Sequence, residues 1–130
     1  LIPARLTGEN GALHATLDLA DGNQIDLKIP DQSGELSAQH SDEITLGLRP
    51  EAFGSGKVSH AQNPDAARFI CHVDVTEPTG PDLLAMLTLS GTEVTTRLPA
   101  GADIQAGQQG DFSVDMSKAI FFDAGSGNRI

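Results

Sequence analysis

The sequence predicts an all-β fold, a small barrel or sandwich, and three observations carry that prediction. Apolar residues recur at every second position in run after run. Turn chemistry separates the runs. No window keeps a 3.6-residue apolar period over three turns, so no amphipathic helix is expected. A period of two sends alternate side chains to opposite faces, which makes each run a half-buried strand.

The first run holds Leu13, Ala15, Leu17 and Leu19, alternating with His14, Thr16 and Asp18. The next holds Ile25, Leu27 and Ile29, alternating with Asp26 and Lys28. Between them lies Ala20-Asp21-Gly22-Asn23, and Asp-Gly is a strong hairpin signal. Three further runs follow: Ile44, Leu46 and Leu48; Phe69, Cys71, Val73 and Val75; Leu83, Ala85, Leu87 and Leu89. Val94, Thr96 and Leu98 come after Ser90-Gly91, a second hairpin turn. Strands at Asp111 to Met116 and Lys118 to Phe122 close the series. Polar loops are expected at Asp31 to Asp42, Gly54 to Asp65 and Pro99 to Gly110. The whole chain, residues 1–130, is expected to be a single domain with one core.

Composition supports a core and excludes several partners. Leu, Ile, Val and Phe make up 32 of 130 residues, above the range of disordered chains. With five Phe and neither Tyr nor Trp, the core must rest on aliphatic side chains. Eight basic residues against eighteen acidic ones give a net charge of −10. Such a surface repels a nucleic-acid backbone and an anionic membrane alike. No apolar run approaches the length of a membrane span, so no direct membrane insertion is expected. The single cysteine, Cys71, cannot form an internal disulfide and fits a reducing compartment. The chain begins at Leu1 rather than Met, as expected of a processed chain or a piece of a longer protein.

The search for chemistry returns little. A phosphate loop needs Gly five residues before its Gly-Lys and a hydroxyl residue after it. Around Gly56-Lys57 those positions hold Glu51 and Val58. Gly125-Ser126-Gly127 lacks the third glycine and the helix of a dinucleotide fingerprint. His14, His40, His60 and His72 have no metal-ligand spacing, and His14 and His72 fall on the solvent phase of their strands. Cys71 and His72 are adjacent, so a strand sends them to opposite faces. Asp18, Asp21 and Asp26 miss the order of a calcium loop. No catalytic, cofactor-binding or metal-ligating residue is assigned, and no activity is expected of this chain.

One set of motifs is informative. Gly47-Leu48-Arg49-Pro50-Glu51 directly follows a strand. Glu77-Pro78-Thr79-Gly80 ends the strand that begins at Val73, and Leu83 to Leu89 follows it. Arg97-Leu98-Pro99, then Ala106-Gly107 with Gly110-Asp111, then Ile120-Phe121-Phe122-Asp123 with Gly127, come next in the same order. With Leu1-Ile2-Pro3-Ala4 at the start, this series resembles the C-terminal accessory domain of ABC import ATPases of the maltose/glycerol-3-phosphate type, the MalK-like group. Gln108 and Gln109 lengthen the turn between Gly107 and Gly110 relative to that pattern.

The resemblance implies a small OB-like (TOBE) barrel with extra strands. It implies a non-catalytic dimerisation and regulatory domain, with ATP and magnesium handled in an N-terminal part and no cofactor in this chain. The implied partners are a second copy, membrane permease subunits and, in some members, a regulatory protein. The implied location is the cytoplasm, peripheral to the inner membrane, and the implied cargo is a sugar, polyol or glycerol-3-phosphate. Candidate interface residues are Arg49, Glu51, Glu77, Gly80, Phe121 and Phe122. Arg49 and Glu51 are also placed to form a local ion pair, and one of the two adjacent Phe should point outward. The alternative is a stand-alone small-ligand barrel related to molybdate-binding modules. Against it, the chain has no Ser-Ala-Arg-Asn anion loop and carries −10.

Overall fold

The computed structural model describes residues 1–9, 12–30, 43–56 and 64–125. The expected loop at 31–42, most of the loop at 54–65, His40, His60, Lys57 and Gly127 lie outside the described residues.

The described chain is built of eleven strands and two short 3-10 turns. The strands are β1 (Ile2–Glu9), β2 (Ala12–Asp18), β3 (Gln24–Lys28), β4 (Glu43–Gly47), β5 (Phe53–Ser55) and β6 (Ala66–His72). They continue as β7 (Val75–Pro78), β8 (Asp82–Leu89), β9 (Thr92–Pro99), β10 (Gln109–Asp115) and β11 (Ile120–Asp123). Three antiparallel sheets result, in the orders β11-β4-β1-β2-β3, β5-β10-β6 and β7-β8-β9. The fold is all-β and OB-like, as expected.

Both predicted hairpins form. Leu19 N–H donates to the Asn23 carbonyl at 2.8 Å across the Asp-Gly turn. At the second turn Ser90 and Gly91 have φ of 49° and 73°. Two successive positive φ values match the twist of the flanking strands, which is why such turns join hairpins.

The period-two reading holds through most strands. Ala15, Leu17, Leu27, Ile44, Leu46, Ala85, Leu87, Leu89 and Leu98 all enter one core. That core is shared by all three sheets. Phe112 is its largest fully buried side chain, stacked on Phe69 at 5.5 Å between ring centroids.

Four differences have physical causes. β1 escaped the periodic reading although Ile2, Ala4 and Leu6 alternate inward. The run from Phe69 to Val75 is two strands, not one. Val73 N–H donates to the Gln108 carbonyl in the second sheet, and Asp74 N–H to the Met86 carbonyl in the third. The chain crosses between sheets there, the side-chain phase slips, and Val75 is 52% exposed rather than inward. Gln109 extends the sheet rather than the loop, opening β10 opposite His72, while Gln108 stays in the turn before it. Lys118 belongs to the 3-10 turn Met116–Lys118, capped by the Asp115 side chain, and β11 starts only at Ile120.

Candidate functional site

The six predicted interface residues fall into two groups. Pro50 cannot donate to a ladder, so the chain leaves β4 and enters the 3-10 turn Pro50–Ala52. Arg49 precedes that turn and Glu51 sits on it, both exposed. The two are not paired with each other: the described ion pairs are Arg5–Asp18, Arg68–Asp111, His72–Asp74 and Arg97–Asp82. β11 lies beside β4, and its two Phe split as alternation requires. Phe121 is core, 5% exposed, while Phe122 is half-buried over Gly47 next to Leu1. Arg49, Glu51 and Phe122 therefore belong to the β4–β11 side of the molecule.

Glu77 and Gly80 belong elsewhere. Glu77 is exposed on β7, an edge strand of the third sheet, while the 3-10 turn carrying Glu51 packs on β9 at the opposite edge. Pro78 is tolerated because β7 is an edge. Gly80 has φ of +89°, in the turn closed by Thr79 N–H donating to the Asp82 carbonyl. Open space surrounds its missing Cβ, so backbone conformation alone favours glycine there.

The structure also assembles a surface that the motifs did not single out. Arg5 on β1 grips Asp18 on β2 with two hydrogen bonds of 2.8 and 2.9 Å. Gln24 donates to the same carboxylate at 3.2 Å. These bonds hold the Asp18 carboxyl below its ordinary pKa, Arg5 contributing most, and raise that of Arg5. An open cleft of about 710 Å³ lies over this pair, bounded by Glu43, Thr45, Thr88 and Ser90. Ser90 is tied to the first sheet, its N–H donating to the Asp18 carbonyl and its Oγ accepting from Asp18 N–H. The signal for this surface was present in the polar phase of β1 and β2, but pairing of the strands had to bring Arg5 to Asp18.

A smaller cavity of about 270 Å³ brings together residues that the sequence set apart. Cys71 and His72 both line it, with Asp21, Asp74 and Thr88. It sits where the β2–β3 turn meets the crossing from β6 to β7, so both faces of the strand contribute. Cys71 Sγ donates to the His72 carbonyl at 3.4 Å, and Thr88 Oγ1 to Asp74 Oδ2 at 2.7 Å. Burial, with Asp74 and Asp21 nearby, pushes the Cys71 thiol up to about 11. Such a thiol is protonated near neutral pH and a poor nucleophile. Among the described residues no hydroxyl or thiol is hydrogen-bonded to an imidazole, and no three His, Cys, Asp or Glu side chains could hold a metal ion. Among them, too, no helix is long and apolar enough to cross a membrane.

Comparisons with known proteins give two kinds of likeness. No family model matches the chain. An uncharacterised ABC transporter ATP-binding protein, YcjV of Escherichia coli O6:H1, is 30% identical over 112 residues, 80% of this chain and 29% of that protein. The YcjV protein of the K12 strain is 30% identical over 103 residues, covering 77% of this chain and 27% of its own length. The chain thus spans under a third of the curated relatives it matches. The cytoplasmic molybdate-binding protein ModG, solved with molybdate bound, superposes with a TM-score of 0.55 over 92% of both chains, at 16% identity. In fold the chain is an all-β, OB-like module of the TOBE type, and in sequence it is similar to part of ABC transporter ATP-binding proteins.

Proposed function

We propose that this chain is a non-catalytic dimerisation and regulatory domain of an ABC import ATP-binding protein, serving uptake of a sugar, polyol or glycerol-3-phosphate. The observation that carries the reading is the extent of the sequence likeness. It covers 80% of this chain but 29% of the relative, so the similar stretch is one portion of a longer ATP-binding protein. The Gly47-Leu48-Arg49-Pro50-Glu51 element and the absence of a phosphate loop from the sequence support the same division of labour. In this reading ATP and magnesium act in another part of the parent, no cofactor belongs to this chain, and permease subunits hold the parent at the cytoplasmic face of the membrane.

The physical task is tethering. Two subunits joined through this domain keep their other contacts at high effective concentration while those contacts open and close. A two-fold interface needs a self-complementary surface and no reacting group. Arg49 and Glu51 meet that need, since each is exposed and the two have opposite charge. Across a two-fold axis, Arg49 of one copy faces Glu51 of the other and the reverse, with Phe122 supplying apolar area.

Sedimentation of the chain over a concentration series tests this. Dimer is expected to accumulate with concentration, and Arg49→Glu to shift the curve toward monomer. A strict monomer at the highest concentration reached overturns the dimerisation claim. A second reading, a small-oxyanion module, is favoured by one observation, the fold likeness to a protein solved with molybdate bound. Saturable binding of molybdate would put that reading first.

A further inference from the structure

Glu77 lies on β7, away from the Arg49 turn, on a sheet face that is partly apolar. Alternation on β8 sends Ala85, Leu87 and Leu89 into the core, so Leu84 and Met86 point to the other face of the third sheet. Both are half-buried, and neither belongs to the core cluster. Strand register sets Val75 of β7 directly beside Met86. Val75 is 52% exposed, one of three large apolar side chains that the described residues leave in solvent. Leu84, Met86 and Val75 thus adjoin on the outer surface of one small sheet. A lone exposed apolar residue needs no explanation, whereas a contiguous group rimmed by polar residues marks a binding surface.

The rim says what kind of partner fits. On the same face Leu84 stands between Glu77 and Arg97, Met86 stands opposite Thr95, and Glu93 follows along β9. Arg97 Nε lies 3.8 Å from an Asp82 carboxylate oxygen, which offsets its charge. Glu77 and Glu93 are exposed and have no ion pair among the described residues. They occupy opposite edges of the sheet, Glu77 on β7 and Glu93 on β9, with the apolar side chains of β8 between them.

Dimensions match a single helix. Neighbouring strands are about 4.8 Å apart, so the outer two of three stand about 10 Å apart, the width of one helix. Leu84 and Met86, two positions apart on a strand, are separated by about 7 Å, and helical residues four apart rise by about 6 Å. One helix laid along β8 therefore sets successive apolar rungs on Leu84 and Met86, with Val75 beside them. Lys or Arg at the margins of its apolar face lays its stem along the strip and its charge on a carboxylate. We propose that the outer face of the third sheet docks a basic amphipathic helix of a partner protein, its apolar stripe on Leu84, Met86 and Val75 and its flanking cations on Glu77 and Glu93. The proposal is independent of the dimerisation reading, since Arg49, Glu51 and Phe122 do not enter it.

Methyl NMR of the intact chain tests it. The chain has two methionines, and Met116, 1% exposed, is an internal reference in the core. The probe is a synthetic peptide of leucine and lysine patterned as an amphipathic helix. Titration is expected to move the Met86 ε-methyl signal saturably and leave that of Met116 in place. A peptide of the same composition in scrambled order keeps the charge and loses the apolar face, and should bind at least about tenfold more weakly. Val75→Asp, at an exposed edge position, should weaken the patterned peptide about tenfold, with the Met116 signal reporting an intact core. Glu77→Lys combined with Glu93→Lys turns two attractions into two repulsions and should also cost about tenfold. A Met86 signal unmoved by excess patterned peptide overturns the proposal. So does a scrambled peptide that binds as tightly, which would make net charge the whole cause, or either variant binding unchanged. A Met86 signal that responds equally to phosphatidylcholine vesicles would assign the face to a lipid surface instead.

Discussion

Cys71 shows how far a single residue's chemistry depends on what surrounds it. Its inward phase was legible from the alternation with Ile70 and His72, and it is 3% exposed. Its raised pKa was not legible, because burial is the main cause, and of the two carboxylates that add to it Asp74 is a near neighbour in sequence but Asp21 is brought up only by the fold. The shift, from 9.0 to about 11, has a defined effect on stability. Below the lower value the thiol is protonated in both folded and unfolded chains and contributes no pH dependence. Between the two values the unfolded chain has lost the proton and the folded chain keeps it, so stability falls as pH rises. Denaturation midpoints should therefore drop across that alkaline window, and drop less in Cys71→Ala. Alkylation of the thiol near neutral pH should likewise be slow until the chain unfolds. Thr16 marks the limit of phase reasoning: it lies on the polar phase of β2 yet is 4% exposed, hydrogen-bonded to Thr7 and Asp26.

Elements were read best where local chemistry and tertiary context agree. The Ser90-Gly91 turn is such a place. Gly91 has φ of +73°, a region that costs a residue with Cβ about 1 kcal/mol or somewhat more. Gly91→Ala should lower stability by about that amount in urea denaturation, and Gly91→Asn should recover part of it, since Asn tolerates the left-handed region. The same turn bonds to Asp18 of the first sheet, so its loss should also loosen the contact between the sheets. Where the two levels part, the reading failed. The crossing between Val73 and Val75 has the apolar pattern of one strand, and the partners at Gln108 and Met86 that divide it lie far along the chain. β5, three residues long, is too short for any periodic signal and exists because β10 pairs with it.

At the scale of the whole molecule, charge and core set different rules. Two copies each carrying −10 repel at long range, and salt screens that repulsion. Self-association of the kind proposed should therefore strengthen as ionic strength rises from a low value. Sedimentation at two salt concentrations reads this. Weakening with salt would mean that ion pairs such as Arg49 to Glu51, rather than apolar contact at Phe122, dominate the interface.

The sequence by itself determined the fold class, both hairpin turns and most of the core. These follow from side-chain alternation and turn chemistry, which are local and act within a few residues. It also carried the ordered motifs that link the chain to ABC ATP-binding proteins. Only the tertiary structure decided which strands become neighbours, where the chain crosses between sheets, and which polar residues meet. The grip of Arg5 on Asp18 and the meeting of Cys71 with Asp21 both arise between residues that are not neighbours in sequence. Period and composition say which face a side chain takes, whereas strand order and register say what it finds there.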